Sequence, residues 1–231
     1  MTLRLYDLAG AGDDRRFSPN CWRIKMALAH KGLEFETVPW RFTEKDAIAF
    51  SGQGAVPVLV DGPRTIYDSW HIARYLDETY PERPLLMDSE QARGAIFVFK
   101  HWCERNIHPA ILQAIILDLY SHLHDKDKAY FRESREKRFG TTLEEYGSDP
   151  AGSLANLQKA LNTVRPALIE QQFIGGHSPC FADYILFGAF QWARVMSPIH
   201  MLEQDDAVYI WRERMLDIHG SIARRAPGFP V

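Results

Sequence analysis

Strand-like patterns are confined to the first 80 residues of this 231-residue chain. They are short apolar or alternating runs at residues 3–8, 34–38, 56–60 and 65–67. A helical pattern separates the first two runs, and a strand, helix and strand in succession indicate a parallel pair. Beyond Pro81, apolar residues recur at three- and four-residue steps, which is the spacing of one helix face. The sequence therefore predicts an α/β unit followed by an all-helical one.

A segment with two prolines separates these two parts. It occupies residues 81–90, so we predict domains over residues 1–80 and 91–231 joined by this linker. Within the first domain, the tight turn at residues 61–63 makes the last two strands a hairpin. The predicted order of elements is βαβ followed by ββα.

The second part contains three segments with different helical patterns. Apolar residues from Leu154 to Leu168 repeat at helical steps and predict one continuous helix. Residues 183–196 are strongly apolar and predict the central helix of this part. Residues 124–138 mix charges of both signs, which predicts a solvated helix face rather than a binding tail.

The first predicted helix begins after Ser18 and ends at Gly32. Ser18 is a favourable N-cap because its hydroxyl can accept a backbone N–H that the helix leaves unpaired, and Pro19 suits the first helical position. An apolar stripe runs from Cys21 to Leu28. The charged residues off that stripe are Arg23, Lys25 and Lys31. The segment is either a capped amphipathic helix or a site where the cap hydroxyl and helix dipole hold an anion such as a thiolate.

Composition narrows the classes of partner. The 27 basic and 30 acidic side chains give a net charge of -3, which creates no field to attract nucleic acid or an anionic membrane. Three scattered cysteines are too few for a disulfide framework or a zinc site. No uninterrupted apolar run is long enough to span a bilayer. We therefore expect a cytoplasmic protein with no metal and with neither nucleic acid nor membrane as a partner.

Three dipeptides, in their order and spacing, resemble those of cytosolic glutathione transferases. They are Ser18-Pro19, Val56-Pro57 and Asp68-Ser69. The resemblance covers essentially the whole chain, and residues 18–32 are similar to the subgroup that contains bacterial β-etherases and related fungal transferases. It implies a thioredoxin-like N-terminal domain followed by a C-terminal helical bundle. It also implies glutathione as cosubstrate, no metal and a homodimer.

The resemblance assigns the chemistry to Ser18. A free thiol has a pKa of about 8.5, so a hydroxyl donor at a helix N-terminus would favour the thiolate of bound glutathione. Tyr6 on the first strand is an alternative donor, although its place in the strand pattern favours core packing. Asn20, in the same turn as Ser18, is a third candidate to contact glutathione. Cys21 stands where a redox motif has its second cysteine, but serine replaces the first, which favours a structural role.

The resemblance also implies the contacts of the peptide. Val56 would pair its backbone with the cysteinyl part of glutathione, like an added strand, and Pro57 would be cis. Asp68 suits the ammonium of the γ-glutamyl end, while Ser69 and the free N–H groups of its helix suit the carboxylate. Gln53 is assigned to the glycyl end because the basic residue usual before Val56 is missing. A trans proline opening a strand and an ordinary helix cap would explain the same residues without a ligand.

The second substrate is expected between the two domains. Trp40, Trp102 and His108 are assigned to its pocket, because aromatic and imidazole groups suit an aromatic electrophile. Core packing would equally explain Trp102, and a surface position would explain His108. Three functions stay open: a glutathione transferase that detoxifies or metabolises aromatic compounds, including by aryl ether cleavage, a glutathione-dependent thiol-disulfide oxidoreductase, and a non-catalytic glutathione-binding module.

One departure from the family pattern lies at the start of the predicted central helix. Cys180 occupies the position of the usual serine or threonine cap, so the cap oxygen is missing. Asp183 can still reach back to a backbone N–H. We therefore expect this helix start to be less robust than the family pattern.

Overall fold

The computed structural model of the chain describes residues 2–230. Residue 1 of the first predicted domain and residue 231 of the second lie outside the described residues. The strands are β1 (Leu3–Leu8), β2 (Phe35–Trp40), β3 (Val58–Asp61) and β4 (Arg64–Tyr67). The helices are α1 (Pro19–His30), α2 (Ser69–Thr79), α3 (Glu90–Ser121), α4 (Asp125–Phe139), α5 (Leu143–Tyr146), α6 (Pro150–Leu161), α7 (Arg165–Glu170), α8 (Phe181–Met196) and α9 (Ala207–Arg225). A 3-10 helix, Lys45–Ser51, follows β2.

The four strands form one mixed sheet in the order β2-β1-β3-β4. β1 pairs with β2 in parallel and with β3 antiparallel, and β3 and β4 form a hairpin. Leu5 and Leu59 face each other in this register, and both side chains are fully buried. The predicted fold class, a βαβ-ββα unit of thioredoxin-like form followed by helices, is confirmed.

Helix α1 is buried on all sides rather than amphipathic. Ser18 caps it as predicted, but α1 packs against α2, α8 and α9 as well as β1, so its charged residues are also buried. The prediction that Arg23, Lys25 and Lys31 lie off the buried face is therefore wrong. Each of them has an acidic partner: the pairs are Arg23–Glu104 at 3.0 Å, Lys25–Asp7 at 2.8 Å and Lys31–Asp77 at 2.8 Å. Pairing offsets the cost of removing these charges from water.

Helix α8 is the predicted central helix, since nearly all its side chains are buried. The carboxylate of Asp183 stabilises its start, as predicted, by accepting the N–H of Cys180 at 2.9 Å. It also accepts three further donors: Ile174 N–H at 2.7 Å, Gly175 N–H at 3.0 Å and the indole N–H of Trp211 at 2.9 Å. These bonds hold the preceding loop and α9 to α8, which compensates for the missing cap oxygen.

The predicted continuous helix from Leu154 to Leu168 is wrong, because the chain forms α6 and α7 with a turn between them. Pro166 lies in the first turn of α7, where its missing N–H is tolerated, whereas inside one long helix it would remove a hydrogen bond. Arg165, the first residue of α7, forms an ion pair at 2.8 Å with Asp206, the N-cap of α9. No helix within residues 2–230 is long and apolar enough to cross a membrane.

Candidate functional site

A cleft with two connected parts opens between the sheet unit and the helical region. We call them the narrow part, of about 210 Å³, and the wide part, of about 500 Å³. The residues lining both are Asn20, Ala55, Val56 and Glu104. A ligand can therefore extend from one part into the other.

The narrow part brings together the six residues that the sequence analysis assigned to glutathione. They are Asn20, Gln53, Val56, Pro57, Asp68 and Ser69. The Val56-Pro57 peptide bond is cis, as the resemblance implied, and it directly precedes β3. This part of the cleft is therefore bounded by the N-terminal turn of α1, the chain entering β3 and the start of α2.

Asp68 has an unusual backbone conformation at the start of α2. Its φ is +63°, which lies in a region of backbone conformation that residues other than glycine rarely adopt. Such a conformation costs about 1–3 kcal/mol. One carboxylate oxygen, Oδ1, accepts the N–H groups of Trp70 at 2.9 Å and His71 at 3.2 Å. The second oxygen, Oδ2, has no hydrogen bond within residues 2–230 and can accept one from a ligand.

Ser69 lies beside Asp68 and is nearly fully buried. Its hydroxyl oxygen accepts an N–H of Arg23 at 3.4 Å. The same guanidinium nitrogen pairs with Glu104, which also pairs with Lys100 at 3.0 Å. Although burial raises the pKa of Glu104, the two cations hold it below its usual range. The sequence analysis missed Glu104, since Lys100 and Glu104 match an ordinary i,i+4 surface pair.

Ser18 lines the wide part and is not among the residues that line the narrow part. The side chain is 5% exposed, and its oxygen accepts the N–H of Cys21 at 3.3 Å. Asn20 lines both parts, and its Oδ1 is buried without a partner in the described region. Tyr6 lines neither part, because its ring packs against Phe50 with the ring centres 5.4 Å apart. Ser18 and Asn20 are therefore the candidates that can face a bound thiol.

Cys21 is fully buried beneath this turn. Burial, followed by the charge of Asp7, raises the pKa of its thiol well above the ordinary value. A thiol that stays protonated in the core is a poor nucleophile. The environment of Cys21 therefore matches the structural role expected from the apolar stripe.

Of the residues assigned to the second substrate, Trp40 and His108 line the wide part, whereas Trp102 does not. Trp102 packs on Phe99 of its own helix, with ring centres 5.3 Å apart. Burial, followed by the charge of Arg23, lowers the pKa of His108 to about 3, so its imidazole is neutral. Its Nε2 has no partner within residues 2–230, and its ring centre lies 6.0 Å from that of Trp192.

Helix α4 supplies a wall of the wide part that the sequence did not predict. The segment at residues 124–138 is helical, but one side of it is not the solvated face that its mixed charges suggested. The α4 residues lining the cleft are Tyr130, Phe131, Arg135, Arg138 and Phe139. Lys45, from the 3-10 helix, lies opposite and places its ammonium 5.3 Å from the ring centre of Tyr130.

The described residues contain no cluster of three or more histidine, cysteine, aspartate or glutamate side chains that could hold a metal ion. The chemistry available in the cleft is that of hydroxyl, amide and charged groups beside two helix N-termini. The dipoles of these helices favour a negatively charged ligand at both ends of the narrow part.

Two family models match the chain. The glutathione S-transferase C-terminal domain matches residues 96–212, and the glutathione S-transferase N-terminal domain matches residues 14–84. Glutathione S-transferase Z1 of Arabidopsis thaliana is 29% identical over 159 residues, which are 64% of this chain and 72% of that protein. Glutathione S-transferase Z2 of the same plant is 32% identical over 139 residues, which are 58% of this chain and 62% of that protein.

Solved structures share the fold over almost the whole chain. The glutathione transferase GSTFuA3 of Phanerochaete chrysosporium superposes with a TM-score of 0.77 at 23% identity, covering 97% of this chain and 94% of its own. A glutathione S-transferase of Ceriporiopsis subvermispora, solved in complex with glutathione, also has a TM-score of 0.77, at 24% identity, covering 95% of this chain and 96% of its own.

Proposed function

Because the chain belongs to the glutathione S-transferase family, we propose that it holds glutathione in the narrow part of the cleft and transfers the thiolate to an aromatic electrophile in the wide part. The observation that carries this proposal is the position of Ser18. It caps the N-terminus of α1 and lines the wide part, two residues before Asn20, which lines both parts.

Glutathione is an extended peptide with a charged group at each end, and the narrow part offers a complement to each of its groups. The backbone of Val56 can pair with the cysteinyl part in the manner of an added strand. The free Oδ2 of Asp68 can accept the γ-glutamyl ammonium, with the ionised Glu104 nearby in the same lining. The hydroxyl and the backbone N–H of Ser69, at the start of α2, can bind the adjacent carboxylate.

The glycyl carboxylate needs a donor at the opposite end of the peptide. Gln53, which the sequence analysis assigned to this carboxylate, lines the narrow part. The structure adds Lys45, whose ammonium donates to the carbonyl oxygen of Gly54 and so lies close to the same loop. We assign the glycyl end to Gln53 together with Lys45, because a cation satisfies a carboxylate better than an amide alone.

Ser18 can favour the thiolate through a hydrogen bond that it donates. Its oxygen already accepts the N–H of Cys21, which leaves the hydroxyl proton free to point at a sulfur. The positive end of the α1 dipole adds to this stabilisation, and Asn20 can donate from the same turn. The sulfur lone pair then forms the new carbon–sulfur bond while the leaving group departs with its bonding electrons.

The proposal includes aryl ethers among the electrophiles, as the β-etherase-like similarity of residues 18–32 implies. In that reaction the carbon–oxygen bond breaks and a phenolate leaves. The neutral imidazole of His108, which lines the wide part, can donate an N–H to the leaving oxygen when it carries the proton on Nε2. The buried Cys21 gives no comparable support to the thiol-disulfide alternative.

The test is the pKa of the bound thiol. We expect the thiol of bound glutathione to titrate below the free value of about 8.5, and Ser18→Ala to raise that pKa and lower kcat about 100-fold. Ultraviolet absorbance of the thiolate and the pH dependence of kcat measure the two effects.

Two outcomes would redirect the assignment. An unchanged pH profile in Ser18→Ala would remove Ser18 from the mechanism, and loss of all activity in Cys21→Ser, the matched substitution in the same turn, would favour the thiol-disulfide alternative. Glutathione binding without turnover of any electrophile in a broad panel would support a binding module.

A further inference from the structure

Two arginines on α4 differ sharply in their surroundings. Arg132 pairs with Glu136 at 2.9 Å and with Glu144 at 2.8 Å. Arg135, one turn further along, is half-buried yet has no carboxylate within 4.0 Å among the described residues. Its guanidinium carbon lies 4.8 Å from the ring centre of Phe131, and its hydrogen bond is to the hydroxyl of Ser134 at 3.0 Å. Arg135 therefore presents an uncompensated positive charge to the wide part, which it lines.

The charges around Arg135 do not compensate it. Arg138 lines the same end of the wide part and carries the same charge, and Lys45 lines it from the 3-10 helix. Among residues 2–230, Glu104 is the one carboxylate in the lining, and it lies at the junction with the narrow part, already paired with Arg23 and Lys100. Burial lowers the pKa of Arg135 below its usual value, opposed by Tyr130 and with a smaller lowering effect from the charge of Arg138.

The walls beside these cations are aromatic. The rings closest to the Arg135 guanidinium are Phe131 and Phe42, the latter at 5.3 Å, and Tyr130 and Phe139 extend the same surface. A flat aromatic body fits such walls, and a planar carboxylate fits a guanidinium through two parallel hydrogen bonds. A half-buried charge without a partner is costly, so a ligand anion here would be bound favourably.

We propose that the second substrate is an aromatic electrophile carrying a carboxylate, which Arg135 binds with the help of Arg138 at the α4 end of the wide part. This inference rests on the proposed transferase function and adds the charge of the substrate. In the proposed assignment Ser69 binds one carboxylate of glutathione and Gln53 with Lys45 binds the other, so the α4 cations are left for the other substrate.

The kinetic experiment compares 4-chloro-3-nitrobenzoate with 4-chloro-3-nitrobenzamide. In both, the thiolate forms a carbon–sulfur bond at the ring carbon and chloride leaves with the bonding electrons, the thiol proton passing to the buffer. The kcat/KM of each compound is divided by the rate constant of its uncatalysed reaction with glutathione, because the ring of the amide is intrinsically more reactive toward a thiolate. We expect the resulting acid-to-amide ratio to fall about tenfold or more in Arg135→Gln, as for the loss of a charged hydrogen bond.

The matched control is Lys137→Gln, on the same helix. It removes the same charge from an exposed position outside the cleft lining, and it should leave the acid-to-amide ratio unchanged. Arg138→Gln, also at an exposed position, is the second variant if Arg135→Gln folds poorly, and it should lower the ratio by a smaller factor. Equal ratios in wild type, Arg135→Gln and Arg138→Gln would overturn the proposal.

A binding measurement separates this inference from the proposed function. Quenching of tryptophan fluorescence can report the affinity of biphenyl-4-carboxylate and its amide, because Trp40 and Trp192 line the wide part. We expect wild type to prefer the acid about tenfold or more and Arg135→Gln to lose that preference, with and without saturating glutathione. Disappearance of the preference when glutathione is added would assign Arg135 to glutathione instead. No conjugation of either the acid or the amide, combined with a retained binding preference for the acid, would reject the proposed function while supporting the anion site.

Discussion

The two parts of the cleft are built in different ways. The narrow part is formed largely by backbone features within residues 18–69: two capped helix N-termini, a cis peptide bond and an aspartate at φ +63°. The wide part is formed by side chains from β2, α3, α4 and α8, which are far apart in the chain. The narrow part is thus suited to one fixed peptide, whereas the wide part can change its specificity by single substitutions.

Buried ion pairs connect the helices around the narrow part. Lys31 and Asp77 join α1 and α2 near their C-terminal ends, and Arg23 connects Ser69 to α3. The wide part has aromatic walls and an arginine without a carboxylate partner in the described region. The comparison predicts that substitutions at the narrow part disturb stability and glutathione affinity, while those at the wide part change electrophile selectivity.

The largest effect is expected for Lys31→Met. Its ammonium lies 2.8 Å from Asp77, and both side chains are almost fully buried, so the substitution leaves a carboxylate without its counter-charge. We expect the free energy of unfolding to fall by about 3–5 kcal/mol, measured by urea denaturation. The matched control is Arg74→Met, which breaks an exposed pair with Glu78 on α2 and should cost less than about 1 kcal/mol. Similar losses in both variants would contradict the role of burial.

Ser69→Ala should have the next largest effect. In the proposed function the Ser69 hydroxyl binds the γ-glutamyl carboxylate, so its removal loses a hydrogen bond to a charged group and KM for glutathione should rise about 10- to 100-fold. KM for the electrophile should change less than about twofold, since Ser69 lines the narrow part alone. The control is Ser153→Ala, another buried serine, on α6. Steady-state kinetics with each substrate varied in turn would distinguish the two parts, and equal changes in both KM values would argue against separate subsites.

The narrow part, which is built largely from backbone features, was more predictable from sequence than the wide part. Ser18-Pro19, Val56-Pro57 and Asp68-Ser69 are local signals, because caps and X-Pro bonds are set by neighbouring residues. The residues that complete this part were not predictable in the same way. Arg23 has its partner Glu104 81 residues further along the chain, so the pattern of α1 alone could not show that α8 and α3 would cover its charged side.

For the wide part, which is built from side chains, the sequence predicted only the types of residue that line it. Trp40 and His108 line the wide part, whereas Trp102 does not. Trp102 precedes Glu104 by two residues, so about 200° of helix rotation separates it from the face that Glu104 and His108 present. Arg135 was hidden in a charged stretch, because only the position of α4 in the fold shows which side of it meets the cleft.

His108 should make stability depend on pH. Its pKa is about 3 in the folded protein, against about 6.5 when unfolded, so the unfolded state binds more protons between these values. The stability contributed by the neutral imidazole is fully present above about pH 6.5 and is lost as the pH falls. We expect wild type to lose up to about 2 kcal/mol more than His108→Gln between pH 7 and pH 5. Urea denaturation at both pH values measures the difference, and parallel losses would show that His108 is solvated.

The smallest effect distinguishes Trp102, which the sequence analysis assigned to the second-substrate pocket, from Trp192, which it did not. Trp192 lines the wide part, so Trp192→Leu should raise KM for an aromatic electrophile about three- to tenfold through the lost ring contact. Trp102→Leu should change the same KM less than about twofold, because its ring packs on Phe99 outside the cleft. Both variants replace tryptophan with leucine, so the ratio of their KM values reflects the position of the ring and not the type of residue removed. A ratio of KM values near one would contradict the assignment of Trp192 to the wide part and of Trp102 to a position outside it.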